Sequence, residues 1–299
     1  MAGMKRYWEY QKNCICHSDS ERSKWSGYAS IYFSDSDADG RQDLSEVARV
    51  SGKLDAVRLP KDLYFAHRVM QNDGPDLHIL GHWSYPASSG EQTVKTIYII
   101  SNAESVELFV NGKSHGVNAN PETGYVFAFP QVEFAPGSLR AIARNKGEVV
   151  GEQQLTTAGR PAHIRLTPIL RPGGLKADGH DVALIDFEVV DAKGQRCPTD
   201  YSRVDFTCTG PAVWRGEYNS GIINSTNNLY LHTELGINRV AVRSTLSPGT
   251  ITVTASRAGI KPAMVHLVSR QVKLIDGIAR MPLVLRKNAI EHDWHTLRE

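Results

Sequence analysis

Ser101-Asn-Ala-Glu-Ser-Val-Glu-Leu-Phe-Val-Asn-Gly-Lys-Ser-His-Gly116 is the stretch from which the fold is read. Val106, Leu108 and Val110 alternate with Glu107 and Phe109, the period of a half-buried strand. Asn111-Gly112 follows directly, and that pair tolerates the two positive φ angles of a type I′ turn. The chain is therefore expected to reverse here into a hairpin, with Lys113 and Ser114 as solvated residues beyond the turn.

The same period runs outward on both sides. Thr96–Ser101, Val106–Val110, Tyr125–Phe129, Val132–Phe134 and Leu139–Ala143 read as short strands, separated by Asn111-Gly112, Pro136-Gly137 and Asn145-Lys-Gly147. Short strands with turn signals at this spacing predict a sandwich of immunoglobulin type. Thr156-Thr-Ala-Gly-Arg-Pro161 is a linker by composition. A second β block follows: His163–Thr167, Ala183–Val190, Val204–Cys208, Arg239–Ser244 and Thr250–Ala255.

Upstream, the pattern is mixed. Lys5–Asn13, Leu44–Val50 and Lys61–Gln71 read as helices and Trp25–Phe33 as a strand, up to the breaker cluster Asn72-Asp-Gly-Pro75. The expected organisation is thus a mixed α/β segment over 1–74, one sandwich over 75–157, a second over 158–270 and a tail over 271–299. The fold class is mainly β.

Composition narrows the function classes. The chain has 299 residues, 41% hydrophobic and 22% charged, so it has enough apolar material for two or three packed domains. A formal net charge of +2, with no basic stripe interleaved with aromatics, argues against a nucleic-acid partner. No apolar run reaches the roughly 18 residues of a membrane span, so no membrane partner is expected. Met1-Ala-Gly-Met-Lys-Arg-Tyr-Trp8 has no apolar core of a secretion signal, which leaves a cytoplasmic protein or an internal piece of a longer one.

Two groups of residues invite a metal reading. Cys14-Ile-Cys16-His17 has no second cluster to complete a zinc site, and free thiols are expected there. Cys197 and Cys208 lie within the second block, where Cys208 falls on an inward phase and is expected to pack as a small core residue. The stronger signal is Asp35-Ser-Asp37-Ala-Asp39-Gly40-Arg-Gln-Asp43-Leu-Ser-Glu46, with carboxylates at positions 1, 3, 5, 9 and 12 of an EF-hand-like loop and glycine at 6. A strand-like entry at Tyr28–Phe33, Gln42 at position 8 and the lack of a paired loop count against a true EF-hand. Two readings stay open: a lone Ca²⁺ or Mg²⁺ loop held by Asp35, Asp37, Asp39, Asp43 and Glu46, and an acidic surface loop in which Asp43 caps the next helix.

Taken as a string, Ser101-Asn102…Val106-Glu-Leu-Phe-Val-Asn-Gly-Lys-Ser114…Gly116 resembles a segment of family 2 glycoside hydrolases, the β-galactosidase-like group. Gly159-Arg-Pro-Ala-His-Ile-Arg-Leu166 and Lys176-Ala-Asp-Gly-His-Asp181 look like the start of the next domain of those enzymes, a bacterial-immunoglobulin or invasin-like sandwich. Trp25–Arg41 is similar to the last strand of the family's (β/α)₈ barrel with its loop, and Arg58-Leu-Pro-Lys-Asp-Leu-Tyr-Phe65 to the helix that follows. The resemblance covers roughly residues 20–269. It implies two sandwiches preceded by a barrel remnant.

The resemblance also implies a chemistry. Family 2 enzymes are retaining glycosidases whose two glutamates lie about 5 Å apart, both before the last barrel strand. A whole barrel needs roughly 250 residues, and only a short stretch precedes that strand here. Glu9 and Glu21 match neither catalytic motif, so no catalytic residue is assigned and the chain alone is expected to be inactive. The barrel-top position makes Tyr32, Phe33 and Asp35 the candidate sugar contacts, although Ile31 and Tyr32 stand where many members carry a tryptophan. No cofactor is required beyond the possible Ca²⁺ or Mg²⁺ at the 35–46 loop. The implied partner is a galactoside-type carbohydrate in a parent enzyme that is periplasmic or secreted.

The competing function is a carbohydrate- or protein-binding module, with Trp83, Tyr85, Trp214 and Tyr218 as stacking surfaces. An exposed, coplanar Trp/Tyr pair would support it; burial would make the sandwiches scaffolding. Glu217, in Trp214-Arg-Gly-Glu-Tyr-Asn219, is expected to be a solvated loop carboxylate. The remnant is expected to expose apolar surface or to associate with another chain through it.

Overall fold

A computed structural model describes residues 33–37, 48–85, 93–219, 222, 225–275 and 278–279. The first described elements are two short antiparallel strands, β1 (Ser36–Asp37) and β2 (Ala48–Arg49). The expected helix over Leu44–Val50 is corrected at its end: Ala48 and Arg49 pair with Asp37 and Ser36. One helix follows, α1 (Asp62–Gln71), entered from Pro60 with Asp62 in its first turn and left at Asn72, whose backbone is extended. Arg68, in the last turn, holds Asp76 through two bonds of 2.6 and 2.9 Å.

The first sandwich uses β3 (Leu77–Ile79), β4 (Val94–Ser101), β5 (Ser105–Val110), β6 (Lys113–Asn118), β7 (Val126–Glu133), β8 (Ser138–Asn145) and β9 (Glu148–Thr156). Its sheets run β3-β4-β7 and β6-β5-β8-β9. The core between them joins Ile97, Ile99, Phe127 and Phe129 of one sheet to Val106, Leu108, Leu139 and Ala141 of the other. The period-two reading holds in β5, where Val106, Leu108 and Val110 are the buried residues. Val110 pairs with Lys113, and Asn111 and Gly112 have φ of 49° and 80°, the two positive values of a type I′ turn. Tyr125–Phe129 and Val132–Phe134, expected as two strands, are one strand with a bulge, because Gln131 takes φ 55° and register shifts opposite Lys95 and Ile97.

The second sandwich uses β10 (Pro161–Ile169), β11 (Leu175–Ala177), β12 (Val182–Asp191), β13 (Arg203–Thr209), β14 (Ala212–Gly216), β15 (Tyr230–His232), β16 (Ile237–Ser244), β17 (Gly249–Ser256) and β18 (Ala263–Gln271). A short pair, β19 (Leu274–Ile275) and β20 (Ile278–Ala279), follows. The two sheets run β10-β12-β16-β14 and β11-β18-β17-β13-β15. That order reproduces the A-B-E-D and C-F-G sheets of an immunoglobulin sandwich, with β11 and β15 added at edges. Ile185, Phe187, Val240 and Val242 face Val204, Phe206, Ile251 and Val253 across the core.

Segment 48–72 joins these bodies. Ala66 and Val69 of α1 pack on Ile100 and Val126, which point away from the first sandwich's own core. The linker expected at 156–161 is short and bonded on both sides. Thr157 Oγ1 donates to Trp83 O at 2.7 Å, Ala158 N to Ser84 Oγ at 2.9 Å and Gly159 N to Asp191 Oδ2 at 2.8 Å. Among the described residues no helix is long and apolar enough to cross a membrane.

Candidate functional site

The sugar-contact and metal candidates cluster at the start of the described chain. Tyr32, Asp39, Asp43 and Glu46 lie outside the described residues, as do Cys14, Cys16 and the residues before them. Phe33 is 61% exposed, and its carbonyl accepts from Lys53 N at 3.1 Å and Leu54 N at 3.0 Å. Asp35 is 7% exposed; its Oδ1 accepts from Gly52 N at 2.8 Å and from Lys61 Nζ at 2.7 Å. Lys61 Nζ also reaches Val50 O at 2.9 Å. Asp37 belongs to β1.

This local fold depends on a close crossing. Segment 52–54 runs against residues 33–35, with Asp35 N bonded to Leu54 O at 2.9 Å. A Cβ on Gly52 would sit 2.1 Å from Asp35 N, so only glycine fits. The cluster can therefore hold the chain after Phe33 in one path and aim Phe33 outward. Among the described residues no group of three or more His, Cys, Asp or Glu is placed to hold a metal ion.

The aromatic candidates are placed differently from a stacking platform. Trp83 is 1% exposed, donates Nε1–H to Ala135 O at 3.1 Å and meets Tyr85 edge-on at 84°. Trp214 lies half-buried against Phe206 at 5.4 Å and donates to Asn228 O at 2.8 Å. Both indoles serve cores, and no exposed coplanar Trp/Tyr pair is formed by these residues. Cys197 is buried and free, and burial pushes its thiol up to about 11; Cys208 is free and packs against the core as expected.

Sequence reasoning missed a polar seam between the second sandwich and the turn over 55–59. Asp55 Oδ1 accepts from Val57 N at 3.0 Å and Leu59 N at 2.7 Å, and Arg58 takes φ 71°. This turn presents Val57 O to Arg239 of β16, whose Nη1 donates to it at 2.9 Å. The same guanidinium grips Asp186 of β12 at 2.6 and 3.2 Å. Glu217, expected to be a solvated loop carboxylate, follows β14 and is half-buried. Burial raises its pKa, against the pull of Arg239, Arg58 and Arg215 and with the help of Asp55. Nothing in the sequence pointed to the seam, since Arg239 and Val57 lie 182 positions apart.

Residues 171–266 match the model of the glycoside hydrolase family 2 C-terminal domain 5, and residues 92–151 match a domain of unknown function, DUF4982. A β-glucuronidase of Formosa agariphila is 49% identical over 253 residues, which is 85% of this chain and 25% of that protein. The chain belongs to glycoside hydrolase family 2. A β-galactosidase of Bacteroides ovatus is 33% identical to this family 2 chain over 74% of its length and 26% of the relative's. A solved structure of a family 2 β-glucuronidase superposes with a TM-score of 0.74 at 50% identity, over 78% of this chain and 24% of that one. The family 2 chain thus spans about a quarter of the length of these curated relatives.

Proposed function

We propose that this chain is the C-terminal scaffold of a retaining exo-glycosidase and performs no hydrolysis by itself. The observation that carries the reading is the 49% identity that runs across most of the chain while covering a quarter of the relative. Relatives of both β-glucuronidase and β-galactosidase name are matched, so the substrate class is a β-linked glycoside, with the galactoside type as one of two possibilities.

In this reading Phe33 and the residues just after it begin the loop above the last barrel strand, and α1 is the helix that follows. Barrel chemistry sits at the strand C-terminal ends, which supports Phe33 as a rim residue facing the sugar. Asp35, engaged by Gly52 and Lys61, then shapes the rim. The sandwiches hold that rim in place, and the burial of Trp83 supports scaffolding over glycan capture. The test is hydrolysis of aryl β-glucuronides and aryl β-galactosides by the purified chain. No turnover is expected with either; clear turnover with either would sink the reading.

A further inference from the structure

Asn111-Gly112 is the only Asn-Gly pair in the sequence, and both residues are exposed. The pair carries a chemistry of its own. A glycine peptide nitrogen can attack the side-chain Cγ of the asparagine before it and close a five-membered imide; asparagine is counted among the thermolabile residues. Gly112 presents the nucleophile openly. A Cβ added to it would meet nothing within 4 Å, and its N–H finds no acceptor among the described residues.

The electrophile is held back. Nδ2 of Asn111 donates to Pro136 O at 3.1 Å, and Oδ1 accepts from Ser138 N at 2.7 Å. Asn111 N adds a third bond, to Ser138 O at 2.9 Å. All three lead to the turn between β7 and β8. There Gly137 takes φ 136° and lies so close that a Cβ on it would reach Oδ1 at 1.9 Å and Cγ at 2.8 Å. Attack makes Cγ tetrahedral and tips Oδ1 and Nδ2 out of the plane in which both are bonded. It must also expel Nδ2 as ammonia, and that nitrogen needs a proton which Pro136 O, an acceptor, cannot supply. Ser138 N–H polarises the Cγ carbonyl, but only in the pose that keeps the amide pinned.

We propose that Asn111 is a site of spontaneous deamidation gated by the turn over 136–138. The closed turn protects the amide, and each opening delivers it to Gly112 N. The bond from Gly112 N to Cγ forms and the Cγ–Nδ2 bond breaks. The proton of Gly112 N passes to solvent, and ammonia leaves with a proton taken from water. Water then opens the imide at either carbonyl, giving aspartate or isoaspartate at position 111. Either product lowers the net charge by one. The aspartate loses the donation to Pro136 O. The isoaspartate lengthens the main chain between Val110 and Lys113, whose pairing the two-residue turn sets, so the hairpin loses its register there.

The test keeps the full chain at pH 7.5, folded or unfolded in guanidinium chloride, with water as the only reagent. Mass spectrometry follows the peptide spanning Asn111 as ammonia is exchanged for water. Conversion in the unfolded chain is expected to be about thirtyfold faster than in the folded chain, the factor for two ordinary hydrogen bonds. Gly137→Ala drives a Cβ into Oδ1 and should speed conversion of the folded chain several-fold, with its unfolding curve measured alongside. Equal rates in the folded and unfolded chain, or an unaltered rate in folded Gly137→Ala, would overturn the gate. No conversion in the unfolded chain would remove the site. Where Gly137→Ala does not fold, the ratio of unfolded to folded rates still decides.

Discussion

Asn111 serves two turns, one through its backbone and one through its side-chain amide. Its backbone supplies the first left-handed position of the β5–β6 hairpin. Its Nδ2 donates to Pro136 O at 3.1 Å and its Oδ1 accepts from Ser138 N at 2.7 Å, which holds the turn into β8 beside the hairpin. Gly137 completes the fit, because a Cβ there would meet Asn111 Oδ1 at 1.9 Å. Asn111→Asp keeps the left-handed tolerance and the acceptor but turns the donor into a second acceptor facing Pro136 O. A loss of about 1 kcal/mol in chemical unfolding is expected, since the site is exposed and water replaces part of the bond; an unchanged midpoint would show the amide idle. The turn itself was legible in the sequence, because φ preference is local. The second turn was read as well, from Pro136-Gly137; what was not legible is that Asn111 holds it, since Pro136 stands far along the chain and nothing in the Asn-Gly pair points to it.

At the scale of elements, legibility followed burial. β4, β5, β12 and β17 carry apolar residues on one phase, and each was read close to its observed limits. β6 was implied by the hairpin, but its extent was not legible, because Lys113–Val117 is exposed on both faces and leaves no alternation to see. β9 was missed because Glu148, Glu152, Gln153 and Gln154 dilute its apolar phase and Gly151 interrupts it. β18 was missed as Met264 and Val268 put apolar residues on the solvent phase. The crossing at Gly52 had no sequence signal beyond the glycine itself. Gly52→Ala forces the 52–54 and 33–35 segments apart and is expected to cost more than about 3 kcal/mol, beyond ordinary overpacking, because backbone rather than a side chain must move. Its measure is a two-state unfolding curve, and a loss below about 1 kcal/mol would mean that the crossing is not held in solution.

For the whole molecule, the family was legible from two strings in the right order, and the galactoside type was not decided by them. Relatives of two activities are matched, and the residues that choose between sugars need not lie in the sandwiches. The seam at Arg239 was illegible because it is made by groups from β12, β16 and the 55–59 turn, which only the fold brings together. The segment over 1–74 was expected to expose apolar surface or to associate with another chain through it; its described residues 50–72 are docked on both sandwiches, α1 on the first and the turn before it on the second.

That docking of α1 bears on how the chain can be divided for expression. Ile100 and Val126 are fully buried, with Ala66 and Val69 of α1 packed over them. A fragment begun at residue 75 would bare both, next to Tyr98 and Leu80, as a sticky strip on the outside of a sheet. Such a fragment is expected to self-associate and to precipitate on heating, whereas one begun upstream of Asp62 carries its own cover. Light scattering of the two fragments at equal concentration checks this, and equal solubility would show that the helix is dispensable as a lid against aggregation.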